Sequence, residues 1–145
     1  KEDIIMKQIP VIFWTGTGNT QMMADAVAEA INAAGAEAVV KNISEITADE
    51  AAGYDALALG CPAMGAEVLE ECEFEPFFTE LEGKLAGKKV AIFGSYGWGG
   101  SYMQDWEARV KDAGATLVAD GVLALGAPDD EAMAKLTEAG KLLAE

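Results

Sequence analysis

Five short apolar runs, alternating with segments of helical spacing, constrain this chain more than any other feature of its sequence. They lie at residues 9–14, 38–40, 54–60, 89–94 and a divided fifth region at 116–118 and 121–125. Short apolar runs bounded by glycine or polar turns read as strands buried on both faces. Between them the spacing predicts an alanine-rich helix over 22–34, with Met23, Val27 and Ile31 on one face and Gly35 as its stop. A weakly helical or turn segment follows at 47–52, then a helix within 75–85, one ending at Ala113, and one opened by Pro128 or Asp129 and running to about Leu143. Such alternation builds a parallel sheet with helices on both faces, the doubly wound α/β class. No repeat or linker interrupts it, so 1–145 reads as one domain, with 1–7 as an extension or loose N-terminus.

Composition narrows the function classes. Hydrophobic residues make up 51% of 145, enough for one core. No apolar run approaches the roughly 18 residues that span a bilayer, and the first residues lack a signal-peptide pattern. The expectation is a soluble, cytoplasmic monomer. Lys1 is not an initiator methionine, which leaves open both a start at Met6 and a longer parent chain. Twenty-five acidic residues against 10 basic ones give a formal charge of −15. That field repels nucleic acid and anionic membranes and steers the protein toward basic partners, or serves solubility alone. There is no histidine, which removes Ser-His and Cys-His catalysis and most zinc sites. Chemistry in such a chain is borrowed from a cofactor.

Three loops carry the chemical signal. Thr15, Gly16, Thr17, Gly18, Asn19 and Thr20 join the first strand to the first helix, where backbone amides and the helix dipole favour an anion. A Walker A loop would need lysine after Gly18, where Asn19 stands, and a dinucleotide fingerprint would need glycine at Gln21. The loop therefore suits a terminal monophosphate held without a cation; the plainer reading is a capped polar turn. After the third strand come Pro62, Ala63, Met64, Gly65, Ala66 and Glu67, with Met64 a soft surface for something flat. Cys61 before them is no phosphatase nucleophile, because position 67 is Glu rather than the required Arg. After the fourth strand come Ser95, Tyr96, Gly97, Trp98 and Gly99, two aromatics among glycines, suited to stacking on a conjugated ring or to capping the core. All three loops open at one edge of a parallel sheet. A phosphate at the first and a planar ring between the others describes flavin mononucleotide, FMN.

These segments resemble the short-chain flavodoxin family. The resemblance rests on Thr-Gly-Thr-Gly-Asn-Thr at 15–20, Gly-Cys-Pro-Ala-Met-Gly at 60–65, Glu-Pro-Phe-Phe at 75–78 and Gly-Ser-Tyr-Gly-Trp-Gly at 94–99, and covers the chain from Ile9 onward. It implies a flavodoxin-like five-stranded sheet of order 2-1-3-4-5 with FMN at the switch point between the first and third strands; the rule by which ligands collect there names flavodoxin as its own example. It implies that Thr15, Thr17, Asn19 and Thr20 hold the phosphate, that Met64 and Trp98 flank the ring, and that the Met64-Gly65 peptide turns over on reduction. Glu67 would meet the N3 edge, and Ser95, Tyr96, Gly97 and Gly99 would line the ring. Ala66 departs from the Asp or Ser of many relatives, and the 99–104 stretch is less charged.

The implied function is a low-potential one-electron carrier, not an enzyme, cycling between semiquinone and hydroquinone and serving redox enzymes with basic, ferredoxin-like docking surfaces. Glu67, Glu70, Glu71, Glu73 and Glu75 form an acidic cluster that reads as the docking surface or as a solvated helix flank. The alternatives are an electron-transfer domain of a larger flavoprotein and a flavin-dependent NAD(P)H reductase. A response-regulator receiver lacks its acids here, since Phe13-Trp14 and Gly60-Cys61 occupy their places.

Overall fold

The computed structural model describes residues 7–16, 18–63, 69–97 and 101–145. Six strand segments fill five positions of one all-parallel sheet. They are β1 (Gln8–Phe13), β2 (Glu37–Asn42), β3 (Ala56–Gly60), β4 (Lys89–Tyr96), β5 (Thr116–Leu117) and β6 (Val122–Leu125). The order is β2-β1-β3-β4-β5, with β6 continuing the fifth position farther along β4. Thus β5 pairs with Lys89 and Val90, and β6 pairs with Phe93 through Tyr96. This is the expected order 2-1-3-4-5, with the fifth strand broken at the same place as its sequence pattern.

The helices are α1 (Asn19–Ala33), α2 (Ala48–Ala51), α3 (Phe74–Glu82), α4 (Tyr102–Asp112) and α5 (Asp130–Ala144). Side chains alternate across each strand, so the sheet divides the core in two. Ile9, Val11, Phe13, Ala56, Ala58, Ala91 and Phe93 face α1 and α5. Ile12, Leu57, Leu59, Val90 and Ile92 face α3 and α4. The first face is rich in alanine, and the helices there close tightly: a Cβ on Gly140 of α5 would stand 2.7 Å from the Ala30 Cβ of α1. The second face holds bulk instead, with Phe74, Phe78 and Tyr102 packed around the Trp106 indole. Arg109 ties α4 to α3, its guanidinium bonded to Glu75 and Glu82 and lying 4.7 Å above the Phe78 ring.

Four details depart from the sequence reading. β2 is an edge strand with half-exposed residues, not one buried on both faces. α1 begins at Asn19, inside the glycine loop, rather than at Met22. A 3-10 turn at Ile43–Glu45, opened by a reciprocal Asn42–Glu45 capping box, precedes α2, which a Thr47–Glu50 box opens. β4 runs to Tyr96, so Ser95 and Tyr96 belong to the strand and not to the loop after it. Pairing with β6 supplies the extra ladder bonds. Among the described residues no helix is long and apolar enough to cross a membrane.

One register sets up the site. Phe13 and Gly60, the last residues of β1 and β3, stand side by side with Phe93 of β4. The segments after β1 and β3 therefore leave the sheet at one level, while β4 runs three residues farther, to Tyr96. Gly60 is required there, since any Cβ would enter the Phe93 ring.

A candidate cofactor cleft at the carboxyl edge

The three segments leaving that edge enclose a cleft of about 300 Å3, at the lower end of the range for small-molecule sites, roughly 300–1,000 Å3. Gly16 and Asn19 line it from the first segment, Pro62 and Ala63 from the second, and Ser95, Tyr96 and Gly97 from the third. Trp14 and Gly126 complete the lining.

The first segment is built to leave a helix end open. The Gly18 N–H donates to Thr15 Oγ1 at 2.9 Å, which folds the loop back on itself. Gly18 takes φ +95°, a left-handed conformation that costs an L-residue roughly 1–2 kcal/mol. It is the N-cap of α1, yet among the described residues no side-chain hydrogen bond caps the helix, and the first turn carries no acid. Thr47 and Asp129 do cap α2 and α5. α1 thus presents its positive dipole end uncompensated beside Asn19, an arrangement that suits an anion. Thr20 is buried at the start of the helix. Gly16 has a different reason to be glycine: a Cβ there would stand 3.3 Å from the Trp14 indole.

The second and third segments are pinned to each other. Cys61 N–H donates to Phe93 O at 3.1 Å, and Ala63 N–H to Ser95 O at 3.0 Å, continuing the sheet ladder past the end of β3. Ser95 Oγ donates to Gly126 O at 2.6 Å, and Gly126 N–H to Tyr96 O at 2.9 Å. Gly126 sits at φ +69°, just past the end of β6, and lines the cleft. Behind them Tyr102 Oη donates to Cys61 O at 2.8 Å. Cys61 is fully buried, and burial pushes its thiol up to about 12. Its sulfur accepts the Glu70 N–H at 3.3 Å. This is a structural cysteine, as the sequence implied, without thiolate character.

Beside the cleft, Glu70 is buried and turned inward. Its carboxylate accepts N–H bonds from Cys72 (2.8 Å), Glu73 (2.7 Å) and Phe74 (2.9 Å), capping the start of α3. Burial works to raise its pKa, but those three N–H groups prevail and hold it below the ordinary carboxylate value. Glu75 is likewise held down, chiefly by the Arg109 guanidinium. The five-acid docking cluster is therefore corrected: Glu70 and Glu75 are engaged within the fold, Glu71 and Glu73 are exposed, and Glu67 is outside the described residues.

Of the site residues expected from sequence, Thr15, Gly16, Gly18, Asn19, Thr20, Pro62, Ala63, Ser95, Tyr96 and Gly97 are brought to this edge. Thr17, Met64, Gly65, Ala66, Glu67, Trp98 and Gly99 lie outside the described residues. Trp14 and Gly126 were missed. Trp14 closes an apolar run and reads as strand; the sign available was its place one residue before the glycine loop. Gly126 offered a glycine directly after a strand.

The donor set fits FMN: an open, uncharged helix end for a phosphate, backbone groups and two hydroxyls along one wall, and the aromatic rings of Trp14 and Tyr96 for a flat ring. The profile of the family described as Flavodoxin matches residues 11–140. The flavodoxin of Clostridium beijerinckii is 46% identical over 135 residues, covering 92% of this chain and 97% of that protein. The flavodoxin of Megasphaera elsdenii is 46% identical over 116 residues, covering 79% and 85%. The solution structure of two-electron reduced Megasphaera elsdenii flavodoxin superposes with a TM-score of 0.86 at 42% identity, over 94% of this chain and 98% of that one.

Proposed function

Because the chain belongs to the flavodoxin family, a family of electron-transfer proteins, we propose that it binds FMN in the carboxyl-edge cleft and carries single electrons at low potential between redox enzymes. The observation that carries this reading is the cleft itself: the start of α1 at Asn19 lines it, together with the aromatic residues Trp14 and Tyr96. Bound FMN would supply the redox chemistry, taking up and releasing one electron at a time.

The chain's own residues would do the rest. The amides opening α1, with Thr15, Thr17, Asn19 and Thr20, would hold the phosphate by charge-assisted bonds. Pro62, Ala63, Ser95, Tyr96 and Gly97 would shape the ring site and exclude water. Met64–Glu67, Trp98 and Gly99 are proposed on the family resemblance alone as the segments that complete it. Among the described residues no lysine or arginine lines the cleft, and the chain carries a formal charge of −15. Adding negative charge there is disfavoured, which lowers the potential of the last reduction step. The same charge favours partners with basic docking rims and makes their association salt-sensitive.

FMN titration followed by quenching of flavin fluorescence tests the binding half of this reading. One FMN per chain should bind, and riboflavin, which lacks the phosphate, should bind at least roughly tenfold more weakly. Equal affinity for the two would remove the phosphate loop from the account.

A further inference from the structure

We propose that Glu73 is a positioning residue for the cofactor cleft: its carboxylate fixes the Trp14 indole, which in turn sets the cleft wall beside the phosphate loop. The inference deepens the FMN reading and rests on it. The Trp14 backbone is already fixed, its N–H donating to Gly60 O at 3.0 Å as the β1–β3 ladder runs out. What remains free is the orientation of a large, half-buried ring. Trp14 Nε1 donates to Glu73 Oε1 at 3.0 Å, across 59 residues of sequence. At the opposite end of the indole, Cη2 and Cζ3 stand where a Cβ on Gly16 would come within 3.3 and 3.4 Å. The ring is thus held at its pyrrole end by a carboxylate, while at its benzo end the missing side chain of Gly16 leaves it room. Both Trp14 and Gly16 line the cleft.

Glu73 is itself held for this task. Its backbone N–H donates to the buried Glu70 carboxylate at 2.7 Å, which fixes the turn from which it projects. It occupies the N-cap position of α3, but its side chain makes no bond to its own helix. It reaches across to Trp14 instead. An exposed acid that composition would assign to solubility or docking thereby links the turn before α3 to the loop before α1. With the link cut, the indole gains rotamers, and the wall beside Gly16 is no longer in place when a ligand arrives.

The test uses the full chain and four variants: Glu73→Ala, Glu73→Gln, Trp14→Phe and the Trp14→Phe/Glu73→Ala double. Two readouts are taken, the FMN dissociation constant and solvent exchange of the Trp14 indole N–H by 15N-edited NMR without FMN. Glu73→Ala should speed that exchange on the order of tenfold and weaken FMN about threefold to tenfold, and Trp14→Phe should weaken FMN similarly. Glu73→Gln keeps an acceptor and should stay within about twofold of the parent. The double variant should be no weaker than the weaker single, since both remove one interaction. Unchanged exchange in Glu73→Ala, faster exchange with unchanged FMN affinity, Glu73→Gln as weak as Glu73→Ala, or additive losses in the double would each overturn the proposal. If the parent chain binds no FMN, the functional reading fails separately, and unchanged indole exchange in Glu73→Ala would still refute the link.

Discussion

Replacing Glu70 by glutamine should destabilise the protein at neutral pH and leave it nearly unaffected in acid. The carboxylate receives three backbone N–H groups at 2.7–2.9 Å, and the one from Phe74 is buried. A hydrogen bond to a charged group contributes roughly 1.5–3 kcal/mol when shielded from water, and less where water can replace it. Glutamine offers one acceptor oxygen. If that oxygen keeps Glu73 and Phe74, its NH2 group faces the Cys72 N–H, donor against donor. Two weakened bonds and one lost amount to about 2 kcal/mol, and alanine, which strands the Phe74 N–H, should cost about 3 kcal/mol. Because the native pKa of Glu70 lies below the unfolded value of about 4.3, its stabilisation is complete above that value. It is lost as pH falls through the native value. Urea unfolding of parent and Glu70→Gln, repeated from pH 7 downward, should give a stability difference of about 2 kcal/mol that shrinks below about pH 4.3. Taking the difference between the two proteins cancels the acid response of Glu75 and the other carboxylates. A difference under about 0.5 kcal/mol at pH 7, or one that does not change with pH, would refute the reasoning.

Other substitutions and reagents probe the same edge. Gly94→Ala would drive its Cβ into the Cys61 carbonyl oxygen and the Tyr102 hydroxyl, and urea unfolding should show a loss of about 2–4 kcal/mol from overpacking and the broken Tyr102 bond. Thiol alkylation at pH 8 should modify Cys72, which is exposed, and spare Cys61 until the chain is denatured. Peptide mapping that finds Cys61 labelled in the folded protein would show that the neck between β3 and α3 opens.

Much of this architecture is legible in sequence because each strand and helix carries its own period. Runs at 54–60 and 89–94 are apolar on both faces because both faces are covered, and Gly35 and Asp129 mark the stop of α1 and the start of α5 by local chemistry. What escaped depends on partners distant in the chain. The fifth strand is split because β4 is long enough to pair with two pieces, a fact about β4 that the fifth region does not contain. Ser95 and Tyr96 look like loop beside four glycines, yet the β6 ladder makes them strand. Glu70, Glu73 and Glu75 are alike in sequence and different in space. One caps a helix from within, one holds Trp14, and one is gripped by Arg109. Charge patterning sees only their shared sign. Trp14 was missed for the same reason, since its role depends on Gly16 and Glu73 together.

Stepwise anaerobic reduction of the FMN-loaded chain, followed by visible absorption against a reference dye, tests the central claim most directly. One-electron carriage at low potential predicts a long-wavelength band that rises and then falls, with two separate steps and the second at the lower potential. Bleaching in a single two-electron step, with no such band, would contradict it.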